Sequence, residues 1–90
     1  MTDPKSDANN LSLYQTDWCP FCVRVRSAMS QLGVEVELRD IGEEREHLRA
    51  LVDATGREMV PCLRIDSESG DAEWMHESAH IIAYLQERFA

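Results

Sequence analysis

LSLYQTDWCPFCVRVRSAMSQLGVEVELR, residues 11–39, reads as strand, helix and strand in succession. Leu11, Leu13 and Tyr14 open a short strand, and Gln15, Thr16, Asp17 and Trp18 form a loop that ends at Cys19-Pro20. Proline suits the first turn of a helix because the N–H it lacks would have no helical partner there. From Pro20 to Leu32 the apolar residues Val25, Ala28, Met29 and Leu32 recur at helical spacing, and Gly33 stands where a left-handed cap stops the helix. Val34, Val36 and Leu38 then alternate with Glu35, Glu37 and Arg39, the period of a half-buried strand. The segment is therefore a βαβ unit, expected to be parallel and right-handed.

Downstream, a second helix is predicted over residues 43–54, with Leu48, Leu51 and Val52 on its apolar face and Thr55-Gly56 at its end. Residues 60–65 read as a strand containing Pro61, a turn over residues 66–70 reverses the chain, and residues 72–75 pair back antiparallel. A final helix over residues 78–89 turns Ile81, Ile82, Leu85 and Phe89 inward. Upstream, residues 1–10 are polar and aperiodic and are expected to be a flexible tail, leaving residues 11–90 as the domain. The order βαβαββα predicts an α/β protein of thioredoxin-like layout, a four-stranded mixed sheet flanked by helices.

Composition narrows the function. Ninety residues make one compact domain. With 17 acidic and 9 basic residues the formal net charge is -8, and the basic residues are scattered, which argues against nucleic acid and against an anionic membrane surface. No apolar run is long enough to suggest a membrane span, and the first ten residues lack the hydrophobic segment of a secretory signal, so a cytoplasmic location and a monomer are expected. In such a compartment three cysteines do not suggest a disulfide framework; they suggest chemistry or core filling.

Cys19-Pro20-Phe21-Cys22 carries the chemistry. Residues three apart on a helix share a face at a separation of about 5–6 Å, which suits a disulfide, so the pair can cycle between dithiol and disulfide. Cys19 falls at the helix mouth, where unpaired N–H groups and the helix dipole stabilise a thiolate, and is the expected nucleophile. Cys22, one turn inside, is the expected resolving thiol. Asp17 opposes a thiolate, whereas Arg24 and Arg26 favour one. A zinc site needs a second half, and Cys62, His47, His76 and His80 show no paired spacing, so no metal is expected. Cys62 reads as a small core residue, with a third redox thiol as the alternative. Trp18, Phe21 and Trp74 read first as packed or partly buried side chains, and the histidines as surface or helix-face residues.

YQTDWCPFC resembles the active-site stretch of glutaredoxins, and Thr55-Gly56-Arg57-Glu58-Met59-Val60-Pro61 resembles that family's TG-x-x-x-VP segment. Glu77-Ser78-Ala79-His80-Ile81-Ile82-Ala83-Tyr84-Leu85 is similar to the E-S-x-x-I-x-x-Y-L signature of the N-terminal domain of glutathione transferases. The resemblance implies a cis Pro61 beside the cysteines, a Val60 backbone that pairs with the cysteinyl part of glutathione, and Glu77 and Ser78 at its γ-glutamyl carboxylate. Ser78 is also a plausible helix N-cap. Two positions depart from the glutaredoxin pattern: Thr16 stands where many members have lysine, and Met75-His76 replaces a Gly-Gly turn. Arg57, Arg45 or Arg49 is the expected substitute cation for a glycyl carboxylate.

The implied function is that of a glutathione-dependent thiol-disulfide oxidoreductase acting on protein disulfides and glutathione mixed disulfides, with glutathione as reductant. The alternatives are a dithiol reductase fed by thioredoxin reductase, and a module binding glutathione and a [2Fe–2S] cluster. Transferases continue into a helical domain beyond the point matched by Ala90, so conjugation is not expected.

Overall fold

The computed structural model describes residues 8–90. Its elements are β1 (Leu11–Gln15), α1 (Pro20–Leu32), β2 (Glu37–Asp40), α2 (Arg45–Thr55), β3 (Cys62–Asp66), β4 (Ala72–His76) and α3 (Ser78–Phe89), in the predicted order. The sheet runs β2-β1-β3-β4. β1 lies parallel to β2, with α1 as the crossover, and β3 runs antiparallel to both β1 and β4. This is the α/β, thioredoxin-like architecture expected from the sequence.

The central strand β1 is buried along its whole length because helices cover both sheet faces. Its side chains alternate. Leu11 and Leu13 join Val25, Met29, Leu63, Ile81, Leu85 and Phe89 on the side of α1 and α3. Tyr14 joins Leu51 and Cys62 on the side of α2. Cys62 is thus a core residue, as expected. Tyr14 is fully buried, and its hydroxyl accepts from Arg39 Nη1 at 2.8 Å and Arg64 Nη1 at 3.4 Å, so the phenol is not left without partners.

Several boundaries move for local reasons. β2 begins at Glu37 rather than Val34: the chain leaves α1 through Gly33 (φ 70), and the Val34 N–H bonds the Met29 carbonyl at 3.0 Å, making buried Val34 a plug on the helix end. Leu38, expected inward, is 47% exposed, because β2 is an edge strand that the helical layer does not fully cover. α2 begins at Arg45 because Asp40 Oδ1 accepts from the N–H groups of Gly42 (2.7 Å) and Glu43 (3.0 Å), building a turn first. β3 begins at Cys62, after Pro61, which has no N–H for a ladder.

Packing also starts earlier than the expected boundary at Leu11. Ala8 is buried in the core, its carbonyl accepts from the Leu11 N–H at 3.0 Å, and Asn10 bonds Asp66 through backbone and side chain. Residues 8–10 therefore belong to the packed domain, and the remainder of the expected tail, residues 1–7, lies outside the described residues. Among the described residues no helix is long and apolar enough to cross a membrane.

Candidate active site

The β1–α1 loop delivers Cys19 to the N-cap of α1 with extended backbone (φ -76, ψ 122), and Pro20 occupies the first helical position. Helical bonding starts with the Val23 N–H on the Cys19 carbonyl at 3.0 Å. The Phe21 and Cys22 N–H groups have no carbonyl to bond and reach the Cys19 sulfur instead. Cys19 is half-buried, Cys22 is fully buried, and both are thiols, as is Cys62.

The two sulfurs differ in acidity. Partial burial pushes the Cys19 thiol up, but hydrogen bonds from the Cys22 N–H, the Cys22 thiol and the Phe21 N–H, with the charge of Arg26, outweigh it, and the net direction is down. Burial dominates at Cys22, opposed by a hydrogen bond from the Thr16 N–H, and its bond to Cys19 raises it further, to about 11. Burial alone pushes Cys62 up to about 12. The two sulfurs of the pair thus diverge, Cys19 lowered and Cys22 raised. At neutral pH, brief iodoacetamide treatment of the native protein followed by peptide mass mapping is expected to label Cys19 alone. Equal labelling of Cys62 would contradict this assignment.

Beside the dithiol lies a groove of about 310 Å³ lined by Phe21, Met59, Val60, Pro61, Glu77 and Ser78. The Val60-Pro61 bond is cis. The fold thus brings Val60, Pro61, Glu77 and Ser78 together, and Phe21 places the groove next to the cysteines. The N-cap of α3 is Glu77, not Ser78, which is its first helical residue. Glu77 has φ 75 and ψ 113, a conformation that costs a non-glycine residue on the order of 1–3 kcal/mol and clusters at functional positions. The first helical N–H of α3 with a backbone acceptor is that of Ile81, on the Glu77 carbonyl at 3.0 Å. The N–H groups of Ser78, Ala79 and His80 stand ahead of it, at the positive end of the helix dipole.

Other expectations resolve differently. Trp18 is 83% exposed and Phe21 54% exposed, so neither is a packing residue; with Met59 they leave apolar surface around the dithiol. Trp74 is half-buried against Tyr14, with ring centroids 5.0 Å apart. Among the described residues no basic side chain lines the groove: Arg45 and Arg49 flank a separate depression with Glu46, and Arg57 is exposed after α2. Phe21 and Met59, as groove walls, were legible only through their places inside the two motifs. Among the described residues the one cluster of three potential metal ligands is Asp17, Asp40 and Glu43, which includes neither cysteine of the pair.

The family model for the glutathione S-transferase N-terminal domain matches residues 13–90. Chloroplastic glutaredoxin-C4 of Oryza sativa subsp. japonica is 30% identical over 84 residues, covering 83% of this chain and 62% of that protein. Glutaredoxin-C6 of the same plant is 36% identical over 59 residues, 62% of this chain and 53% of that protein. The chain therefore spans under two thirds of the length of these relatives. Among solved structures, a trimeric glutathione transferase from Leishmania superposes with TM-score 0.73 at 31% identity, over 89% of this chain and 18% of that one. A maleylacetoacetate isomerase from Anaeromyxobacter dehalogenans, solved with GSH in its active site, shares the fold at TM-score 0.67 and 23% identity, over 89% of this chain and 38% of that one.

Proposed function

The chain belongs to the family of glutathione S-transferase N-terminal domains, and from that premise we propose that it is a glutathione-dependent thiol-disulfide oxidoreductase working through Cys19 and Cys22. The observation that carries this reading is the pairing of a lowered Cys19 thiol with a buried, protonated Cys22 at the edge of the groove holding Val60, Pro61, Glu77 and Ser78. A transferase that only conjugates has no use for the second thiol.

In the proposed cycle the Cys19 thiolate attacks the glutathione sulfur of a protein-glutathione mixed disulfide. The old S–S bond breaks, the protein thiolate leaves and takes a proton from solvent, and Cys19 carries glutathione. A second glutathione thiolate then attacks that glutathione sulfur, releasing oxidised glutathione and the Cys19 thiolate. With a protein disulfide, Cys22 instead loses its proton and attacks the Cys19 sulfur, leaving an internal disulfide that two glutathiones reduce. In the groove the Val60 backbone pairs with the cysteinyl unit, the Ser78 hydroxyl and the N–H groups at the start of α3 receive the γ-glutamyl carboxylate, and Glu77 faces its ammonium.

The test is turnover of a glutathione mixed disulfide coupled to glutathione reductase. Steady turnover is expected, and its absence in the folded wild type sinks the reading. Ser78→Ala, which removes one hydrogen bond to a charged group, is expected to raise KM for glutathione roughly tenfold, the effect of about 1.5 kcal/mol, with a smaller change in kcat. That the described residues lining the groove include no basic side chain favours one second reading, in which a thioredoxin reductase supplies the electrons. Reduction rates with the two donors, compared side by side, separate them.

A further inference from the structure

Arg26 lies one helical turn beyond Cys22 on the same face of α1, and its side chain reaches back over the β1–α1 loop. Nη1 donates to Gln15 Oε1 and to the Thr16 carbonyl at 3.3 Å, and Nη2 donates to the Asp17 carbonyl at 3.0 Å. One guanidinium thus ties down three consecutive residues, the last of them two positions before Cys19. Its first acceptor is itself fixed: Gln15 is fully buried at the end of β1, and its Nε2 donates to Asp17 Oδ1 at 3.4 Å. Thr16 is held from both sides, with its carbonyl on Arg26 and its N–H on the Cys22 sulfur.

We propose that Arg26 is a positioning residue of the dithiol site: through Gln15, Thr16 and Asp17 it fixes the loop in the form that leaves Cys19 at the mouth of α1, and it holds its charge beside both sulfurs. The inference rests on the reading of Cys19 as nucleophile and adds to it the device that sets the nucleophile's place. A planar guanidinium suits this task because its donors diverge in a rigid fork, whereas an ammonium is a point charge that satisfies such a set of acceptors poorly. Among the described residues, the other ionisable group that acts on Cys19 is Cys22, through its N–H and its thiol. Of the charged side chains, Arg26 acts on Cys19 most strongly.

Arg26→Gln and Arg26→Lys separate the fork from the charge. Three measurements apply to each folded variant: the pH dependence of thiolate absorbance near 240 nm, the rate of iodoacetamide alkylation of Cys19 at a pH below its titration, and turnover of a glutathione mixed disulfide. Arg26→Gln is expected to move the Cys19 titration upward, slow alkylation about threefold and slow turnover about tenfold. Arg26→Lys is expected to bring titration and alkylation back towards wild type while turnover stays depressed, because the charge returns without the fork. An Arg26→Gln protein that melts earlier but titrates like wild type makes Arg26 a structural tie only and overturns the proposal, as does full recovery of turnover in Arg26→Lys. Titration and alkylation need no glutathione. A wild type without turnover would therefore defeat the functional reading while these two measurements still decide whether Arg26 sets the state of Cys19.

Discussion

Cys19→Ser is expected to bring glutathione-coupled turnover down to background, a loss on the order of a thousandfold or more, on mixed disulfides and protein disulfides alike. A serine hydroxyl at this place stays protonated at neutral pH and cannot replace the thiolate as nucleophile. Cys22→Ser is expected to divide the two substrates. Reduction of a glutathione mixed disulfide needs only Cys19 and a second glutathione, so it persists within a few-fold of wild type. A protein disulfide leaves Cys19 bonded to the substrate with no neighbouring thiol to release it, so that reaction falls by orders of magnitude and the mixed disulfide accumulates. Intact-protein mass spectrometry of the trapped species, alongside rates with both substrates, checks this. Equal loss on both substrates in Cys22→Ser would show that glutathione cannot reach the Cys19 sulfur in the groove. Retained turnover in Cys19→Ser would remove the nucleophile from the mechanism altogether.

The pH profile follows from the same asymmetry. Cys19 lies below its ordinary value and Cys22 at about 11, so alkylation of the wild type should rise with pH through one low titration and reach its plateau before Cys22 begins to ionise. Two comparable steps near the ordinary cysteine value would mean that the helix mouth and Arg26 do not act on Cys19.

Local chemistry made much of this legible in advance. The bounds of α1 and α3 follow from Pro20, Gly33 and the spacing of Ile81, Leu85 and Phe89, signals that lie within single helices. The parallel β1–β2 pair and the antiparallel β3–β4 pair follow from the βαβ unit and the turn before Asp71, also short-range features, whereas the pairing of β1 with β3 joins residues some fifty positions apart and follows from neither. The misread exposures share one cause: they depend on what covers a residue from elsewhere in the chain. Leu38 alternates correctly but stands on an edge strand, and Trp18 and Phe21 are apolar but sit on a loop and a first helical turn over which no other element passes. In the candidate site, the placement of Cys19 at the mouth of α1 with Cys22 in its first turn was readable from their spacing. The start of α3 at Ser78 was readable too, but not the positive φ that makes Glu77 its cap, because glutamate carries no preference for that conformation. The sequence marks Arg26 as a nearby charge. Its hold on Gln15, Thr16 and Asp17 appears only once α1 has folded back along β1.

Phe89→Ala should be the most damaging core substitution, with an expected loss of about 3–5 kcal/mol, since the ring leaves a cavity that its neighbours only partly fill. Phe89 is fully buried in the last turn of α3, its ring is covered by the Arg88 guanidinium 4.9 Å from the centroid, and it completes the stripe that Ile81 and Leu85 lay against the sheet. For a domain of this size the loss is a large share of the roughly 5–15 kcal/mol that separates folded from unfolded chains, and it corresponds to a fall in melting temperature of roughly 15–30 °C. The damage reaches the site. α3 rests on α1, and the two helix starts present Ser78 and Cys19 to the same side of the molecule, so loosening one helix against the other should open the groove between them. Thermal melting and iodoacetamide labelling measure both consequences. The variant should melt early and, well below its melting point, expose Cys22 and Cys62 to alkylation that wild type resists. A variant that keeps the wild-type melting point, or melts early while Cys22 stays protected, would show that the dithiol is held by the β1–α1 loop independently of how α3 is packed.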